Sequence, residues 1–416
     1  MSAAIAMLVI LGAWLLLLGA FARRLHADWR EPVLAVPVLI IESDDWGPGP
    51  SADAERLRQL ADLLRALPDA HGSFPLITLG VVLAVPGPGA KEQRADLPRY
   101  VRRTLVEPEF APVREAMLAG RDAGVFALQL HGMEHFWPPA VVSVARRDAA
   151  ARAFLCGRQG VPRHESLPPH LQARWIDAAQ LPSAALDRDA VERAVAEEMA
   201  CFARIFGEQP RVAVPVTFTW TTDVESAWAR RGVKVVVTPG TRNIGRDGNG
   251  RLVGDGSILR NADRAASGVV HVVRDIYFEP ALGHTTEGAL PDIRAHHRLG
   301  RPALLEMHRF NFTGDPAQAE RSLAELRHLV QGARAAMPGL RFMSTEGLAD
   351  ALLARDPALV DRRVAARVRA FVMRAATHSR IRKLAWISGI ALVAAVAFAI
   401  SSALLSAPAS VRRAPG

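Results

Sequence analysis

Residues 36–50 read Val36-Pro37-Val38-Leu39-Ile40-Ile41-Glu42-Ser43-Asp44-Asp45-Trp46-Gly47-Pro48-Gly49-Pro50. The apolar run Val36 to Ile41 is too short for a helix, rich in β-branched residues, and followed by alternating Gly and Pro. It reads as a strand buried on both faces that ends in a turn. Asp44 and Asp45 stand at that end, where two adjacent carboxylates repel each other unless a cation or a shared proton compensates. An Asp cap for the helix that begins near Ser51 is the plainer reading of the same residues.

Outward from this stretch, strands alternate with helices. Ala52 to Leu67 is helical, with Leu57, Leu60, Leu63, Leu64 and Leu67 on one side. Leu76 to Val85 reads as a strand closed by Pro86-Gly87-Pro88-Gly89, and Pro98 to Ala119 as a helix interrupted at Pro108 and Pro112. A third strand, Val125 to Leu130, delivers His131-Gly132-Met133-Glu134-His135. Phe136 to Pro182 is irregular and too long for an ordinary connection, which marks a lid or binding segment. Because it leaves directly from His135, it is expected to cover the mouth of a site there. Further on, Asp187 to Phe206 reads as a helix, and Arg211 to Thr219 and Val233 to Thr238 as strands flanking a helix around Val224 to Arg230. Pro239 to Gly268 is irregular. Val269 to Val273 and Ala303 to His308 are strands, Pro316 to Ala335 is an amphipathic helix, and a short strand near Phe342 precedes a helix from Glu346. Seven or eight strands alternating with helices predict an α/β fold, a (β/α) barrel that is distorted and seven-stranded, spanning residues 32–355. Chemistry in such barrels sits at the carboxyl ends of the strands. There stand Asp44, Asp45, His131, His135 and His308.

Composition frames this domain with membrane segments. The chain has 416 residues and a net charge of +9, with two cysteines, Cys156 and Cys201, that match no zinc-finger spacing. Met1 to Ala22 and Leu384 to Val411 carry no charged side chain, and each exceeds the roughly 20 residues that cross a bilayer. Residues 1–22 and 384–407 are therefore expected to be transmembrane helices. Ala20-Phe21-Ala22 resembles a signal-peptide cleavage site, but no basic residue precedes the first apolar run. Residues 361–383, within a segment expected over 356–383, hold Arg362, Arg363, Arg367, Arg369, Arg374, Arg380, Arg382 and Lys383 with one acid, Asp361. Val364, Val368, Phe371, Val372 and Ala375 recur among them at helical spacing, as in a basic amphipathic helix on an anionic membrane surface. The charge lies beside a membrane segment and forms no wider basic face, which argues against nucleic acid as partner.

The constellation resembles the polysaccharide deacetylase family, carbohydrate esterase family 4, part of the NodB-like glycoside hydrolase/deacetylase superfamily. The marks are the Asp-Asp pair ending a first strand, a His-x-x-x-His motif after a later one, and a histidine late in the chain. The resemblance covers about Pro37 to Leu353, and Leu340-Arg341-Phe342-Met343-Ser344-Thr345-Glu346-Gly347-Leu348 is similar to the family's closing segment. It implies Asp45, His131 and His135 as ligands of a divalent metal, most simply Zn2+. It implies Asp44 as general base and His308 as general acid. Three positions depart from the pattern. Gly132 replaces a Ser or Thr, Glu306 replaces a leucine two residues before His308, and Val214-Pro215-Val216-Thr217 lacks the arginine that orients the base. Trp220 and Asp223 lie near that missing arginine in sequence.

Together these features predict a membrane-anchored, metal-dependent deacetylase that removes an N-acyl group from a sugar of a polysaccharide or lipid-linked saccharide. A glycoside hydrolase pairing Asp44 with Glu306 or Asp275 is one alternative. A catalytically silent membrane scaffold for polysaccharide assembly is another. Arg23, Arg24 and Arg30 follow the first span and eight basic residues precede the second. Charge placement therefore puts the catalytic domain in the cytoplasm and both termini outside.

Overall fold

The computed structural model describes residues 3–69, 72–87, 99–156 and 161–406. Its centre is a parallel sheet of β1 (Val38–Trp46), β2 (Ile77–Val81), β3 (Phe126–Leu130), β4 (Val212–Ala213), β5 (Val235–Thr238), β6 (Val270–Val273), β7 (Ile276–Tyr277) and β8 (Ala303–His308). β9 (Arg341–Phe342) pairs with β1 off the main path. The spatial order is β6-β5-β4-β3-β2-β1-β8-β7, and the two edges, β6 and β7, are separated in the chain only by Arg274 and Asp275. One interrupted stretch of chain thus supplies both edges. With helices packed outside, the arrangement fits a (β/α) barrel.

Alternation along the strands explains the burial on both faces. Leu39 and Ile41 belong to a core shared with the outer helices, together with Leu57, Leu60, Leu64, Val113, Phe202, Leu326 and Val330. Val38 and Ile40 join Val212, Val214, Val235, Val237, Val272 and Leu304 in a second core inside the sheet. The helix Thr345–Ala354 contributes Leu348, Ala349 and Leu352 to this inner core. The same row then turns polar: Val38 and Ile40 are followed at two-residue spacing by Glu42 and Asp44, Val272 by Arg274, and Leu304 by Glu306 and His308. The interior is apolar at the amino ends of the strands and ionisable at their carboxyl ends.

Several sequence expectations change. The strand read over Arg211 to Thr219 is only Val212–Ala213, because Thr217 and Phe218 adopt positive φ and form a 3-10 turn, Val216–Phe218. Leu76 to Val85 divides into β2 and the short strand Ala84–Pro86, which pairs with Arg102–Thr104. The helix read to Ala119 starts at Ala111, with Pro112 in its first turn, where a missing N–H costs nothing. Phe136 to Pro182 is not irregular: it contains helices Pro138–Ala145 and Ala149–Cys156 and its own core around Phe136, Val141, Phe154, Leu167 and Leu171. Pro138 and Pro139 misled because they open a helix rather than break one. Within Pro239 to Gly268, strands Asn243–Arg246 and Leu252–Gly254 form a hairpin. A helix that the sequence reading left out, Thr286–Arg298, covers β7 and β8. Pro88, Gly89 and Pro98 lie outside the described residues.

At the amino end, helix Ala3–Arg30 includes one stretch, Met7–Arg30, long and apolar enough to cross a membrane. The second apolar segment is not one straight helix. Ser379–Ile387 and Ile390–Ser406 meet at a 106° bend, where Gly389 takes a left-handed φ of 75°. Residues 407–416, with Arg412 and Arg413, lie outside the described residues. Val364–Thr377 forms a helix, with Val364 exposed. Phe371, Val372 and Ala375 line a cavity of about 510 Å³ with Trp14, Leu18 and Phe398. Arg374 is buried and donates to the backbone oxygens of Asp28, Glu31, Pro32, Leu299 and Gly300.

Candidate active site

Adjacent residues of a regular strand point to opposite faces, so Asp44 and Asp45 can share a site only if the strand is irregular. It is: the register between β1 and β2 shifts between Ser43 and Trp46, and Asp45 has φ 69°. This bulge turns both carboxylates to the same side. β2 makes room for them with Gly80, where an added Cβ would lie 2.1 Å from Asp44 Oδ1.

The structure brings all five sequence-chosen residues to this end of the sheet. His131 Nε2 lies 3.4 Å from Asp45 Oδ1 and 4.0 Å from Asp44 Oδ2, and His135 Nε2 lies 3.4 Å from Asp45 Oδ1. His131 Nδ1 contacts the Val214 carbonyl at 3.0 Å. A carbonyl only accepts, so Nδ1 carries a proton, and in the neutral ring Nε2 offers its lone pair; burial opposes the charged form, but the Asp44 and Asp45 carboxylates raise the His131 pKa above the ordinary imidazole value. His308 faces Asp44 across the β1–β8 pairing.

Three partners escaped the sequence reading. Arg274 donates to Asp44 Oδ2 at 2.7 Å and to Glu42 Oε2 at 2.7 Å, and its Nε is 3.4 Å from Glu306. It supplies the guanidinium that the Val214-Pro215-Val216-Thr217 segment lacks. Trp220 and Asp223 do not: the Trp220 indole donates to Glu225, and Asp223 is exposed. Glu279, fully buried, lies 2.5 Å from His308 Nδ1. His164, from the insertion, places Nε2 3.5 Å from Asp45 Oδ2. Arg274 was findable as a charged residue at the carboxyl end of an apolar strand, whereas nothing local marked His164.

Electrostatics follow from these contacts. Burial pushes the Asp44 carboxyl towards its neutral form, but Arg274 and His131 outweigh it and lower its pKa. Burial likewise opposes ionisation of Asp45, yet His164 and His135 hold it well below the usual carboxylate range. Burial pushes the His164 imidazole down to about 4. For His308 burial works against the charge, and the bond to Glu279 with the fields of Asp45 and Asp44 raises it to about 10.

The donor set fits a divalent ion. Imidazole and carboxylate atoms bound to one tetrahedral zinc at about 2.1 Å stand about 3.4 Å apart. That spacing separates Asp45 Oδ1 from both His131 and His135, and it exceeds an ordinary hydrogen bond. Asp45, His135 and His164 have donor atoms all within 4.8 Å of one another. Asp45 Oδ1 and Asp44 Oδ1 are buried with no hydrogen-bond partner.

Beneath these side chains runs a buried ionic frame. Glu134, between His131 and His135, accepts from Tyr100 at 2.7 Å, from Arg102 at 2.5 Å and from Arg174. Arg174 also reaches Glu198 at 3.0 Å, and Glu198 accepts from the Met133 amide and the Trp228 indole.

No family model matches the chain, and no curated protein matches it. Solved structures similar to it include several family 4 carbohydrate esterases and polysaccharide deacetylases. A family 4 carbohydrate esterase from Streptomyces lividans shares 14% identity over 73% of this chain and 89% of its own, with a TM-score of 0.32. A peptidoglycan deacetylase from Bacillus subtilis shares 9% over 79% and 95%, with a TM-score of 0.36. A pseudoenzyme of the same family from Bacillus anthracis shares 8% over 76% and 66%, with a TM-score of 0.36. Likeness this distant leaves the chemistry to the residues themselves.

Proposed function

We propose that this chain is a metal-dependent deacetylase that hydrolyses an N-acyl group on a sugar of a polysaccharide or lipid-linked saccharide. The observation that carries the reading is the convergence of Asp44, Asp45, His131, His135 and His308 at one end of the sheet. Asp45, His131 and His135 would hold the ion, with zinc the simplest choice for two imidazoles and a carboxylate. When bound, such an ion activates water and polarises an acyl oxygen as a Lewis acid.

The remaining roles belong to the protein. Asp44, kept ionised by Arg274, takes a proton from the attacking water, and the hydroxyl adds to the acyl carbon. His308, kept protonated by Glu279, gives its proton to the sugar nitrogen as the C–N bond breaks. The products are the free amine and the carboxylate of the acyl group. The glycoside hydrolase alternative has less support. Arg274 lowers the pKa of Asp44 against the effect of burial, so Asp44 is not set up as the neutral acid that reaction needs, and Asp275 instead pairs with His296 at 2.9 Å.

Helix Met7–Arg30 supports membrane anchoring, and charge placement favours a cytoplasmic catalytic domain. The test uses the full chain in detergent with N-acetylated oligosaccharides. Acetate release should stop on chelation and return with zinc, and glycosidic bonds should stay intact. Chain cleavage, or acetate release indifferent to chelator, would overturn the reading.

A further inference from the structure

We propose that His164, carried by the insertion at residues 136–182, is a ligand of the same ion, which makes the insertion part of the metal site. The inference rests on the metal-dependent reading above and adds a residue that no sequence motif assigns.

His164 Nε2 is 3.5 Å from Asp45 Oδ2, longer than a hydrogen bond and close to the spacing of His131 and His135 from Oδ1. Both oxygens of one buried carboxylate therefore face imidazole nitrogens at the separation of atoms that share an ion. His135 and His164 stack, with ring centroids 3.7 Å apart at 14°, and both rings are largely withdrawn from solvent. Asp45, His135 and His164 are also among the residues that line a small cavity of about 20 Å³, enough for one water-sized species.

The neighbours of His164 hold it there. Arg163 donates to Thr313 Oγ1 at 3.1 Å and lies 3.4 Å from Asp53 Oδ1, while Glu165 lies 3.9 Å from Arg309. Asp53 belongs to the helix after β1, and Arg309 and Thr313 follow β8. The two residues flanking His164 thus fasten the insertion to the elements that carry Asp45 and His308. Leu167 and Leu171 bury the following turn in the insertion's own core.

The experiment measures metal binding by competition titration on the full chain and reads the cobalt(II) form by absorption. His164→Ala should weaken binding about tenfold or more, with His170→Ala, a change in the same insertion, leaving it unaltered. His164→Cys should restore binding and add a sulfur-to-cobalt charge-transfer band, which only direct ligation produces. Wild-type affinity in His164→Ala, or tight binding by His164→Cys without the band, overturns the proposal. Stoichiometric metal without acetate release would instead defeat the deacetylase reading and leave the assignment of His164 standing.

Discussion

Asp45 holds a φ of 69°, a backbone strain on the order of 1–3 kcal/mol that turns its carboxylate beside Asp44. Asp tolerates this region better than most residues, since its short side chain bonds locally. Gly132 explains itself similarly. Its φ is 98°, and a Cβ would meet Arg174 Cδ and the Glu134 carbonyl at 3.2 Å, so the Ser or Thr of the family pattern has no place here. His308 carries the clearest pH signature. Glu279 raises its pKa, so it stays protonated until the solution rises through about 10, and activity should fall along that limb. Glu279→Gln removes the main stabiliser of the charged ring, so the alkaline limb of kcat/KM should move to lower pH. An unmoved limb in that variant would separate His308 from the acid role.

At the scale of elements, the site depends on the frame of Glu134, Arg174 and Glu198 as much as on the strands. All three are buried, and removing one partner from such a network costs roughly 3–5 kcal/mol. Glu198→Ala should therefore lower the unfolding midpoint markedly and loosen metal binding through Met133, whose amide it holds. A melting curve like wild type would show the frame to be dispensable. The strands that carry the candidate site residues were legible because β1, β3 and β8 are short apolar runs that lead into Asp44-Asp45, His131 and His308. The insertion was legible only as a long excursion over the site. Its helices were hidden by prolines that begin them, and His164 reaches Asp45 through tertiary packing that no local pattern records. Nothing near Val214 in sequence marks Arg274, because its guanidinium arrives from the next strand but one.

At the scale of the molecule, the first apolar helix ends against the amino end of β8 and the carboxyl end of β6, since Glu31 binds both Arg301 and Asn261, and the Asn261 side chain accepts from the Val273 amide. Arg374 ties the basic helix to Glu31 and Gly300, near the amino ends of β1 and β8, while Asp45 and His308 lie at their carboxyl ends. At about 3.3 Å per residue, the run from Val38 to Asp45 spans about 23 Å. Charge placement predicts that alkaline phosphatase fused after Leu353 stays inactive in cells, and high activity would move the domain to the other side. In the proposed mechanism Asp45 holds the ion and Asp44 moves the proton, a division of labour between neighbouring carboxylates. It is tested most directly by measuring bound metal and acetate release together in Asp44→Asn and in the double variant His131→Ala/His135→Ala. Asp44→Asn should keep stoichiometric metal and lose at least about 100-fold in turnover, and the double variant should lose both. Full metal occupancy in the double variant, or near-normal turnover in Asp44→Asn, would contradict it.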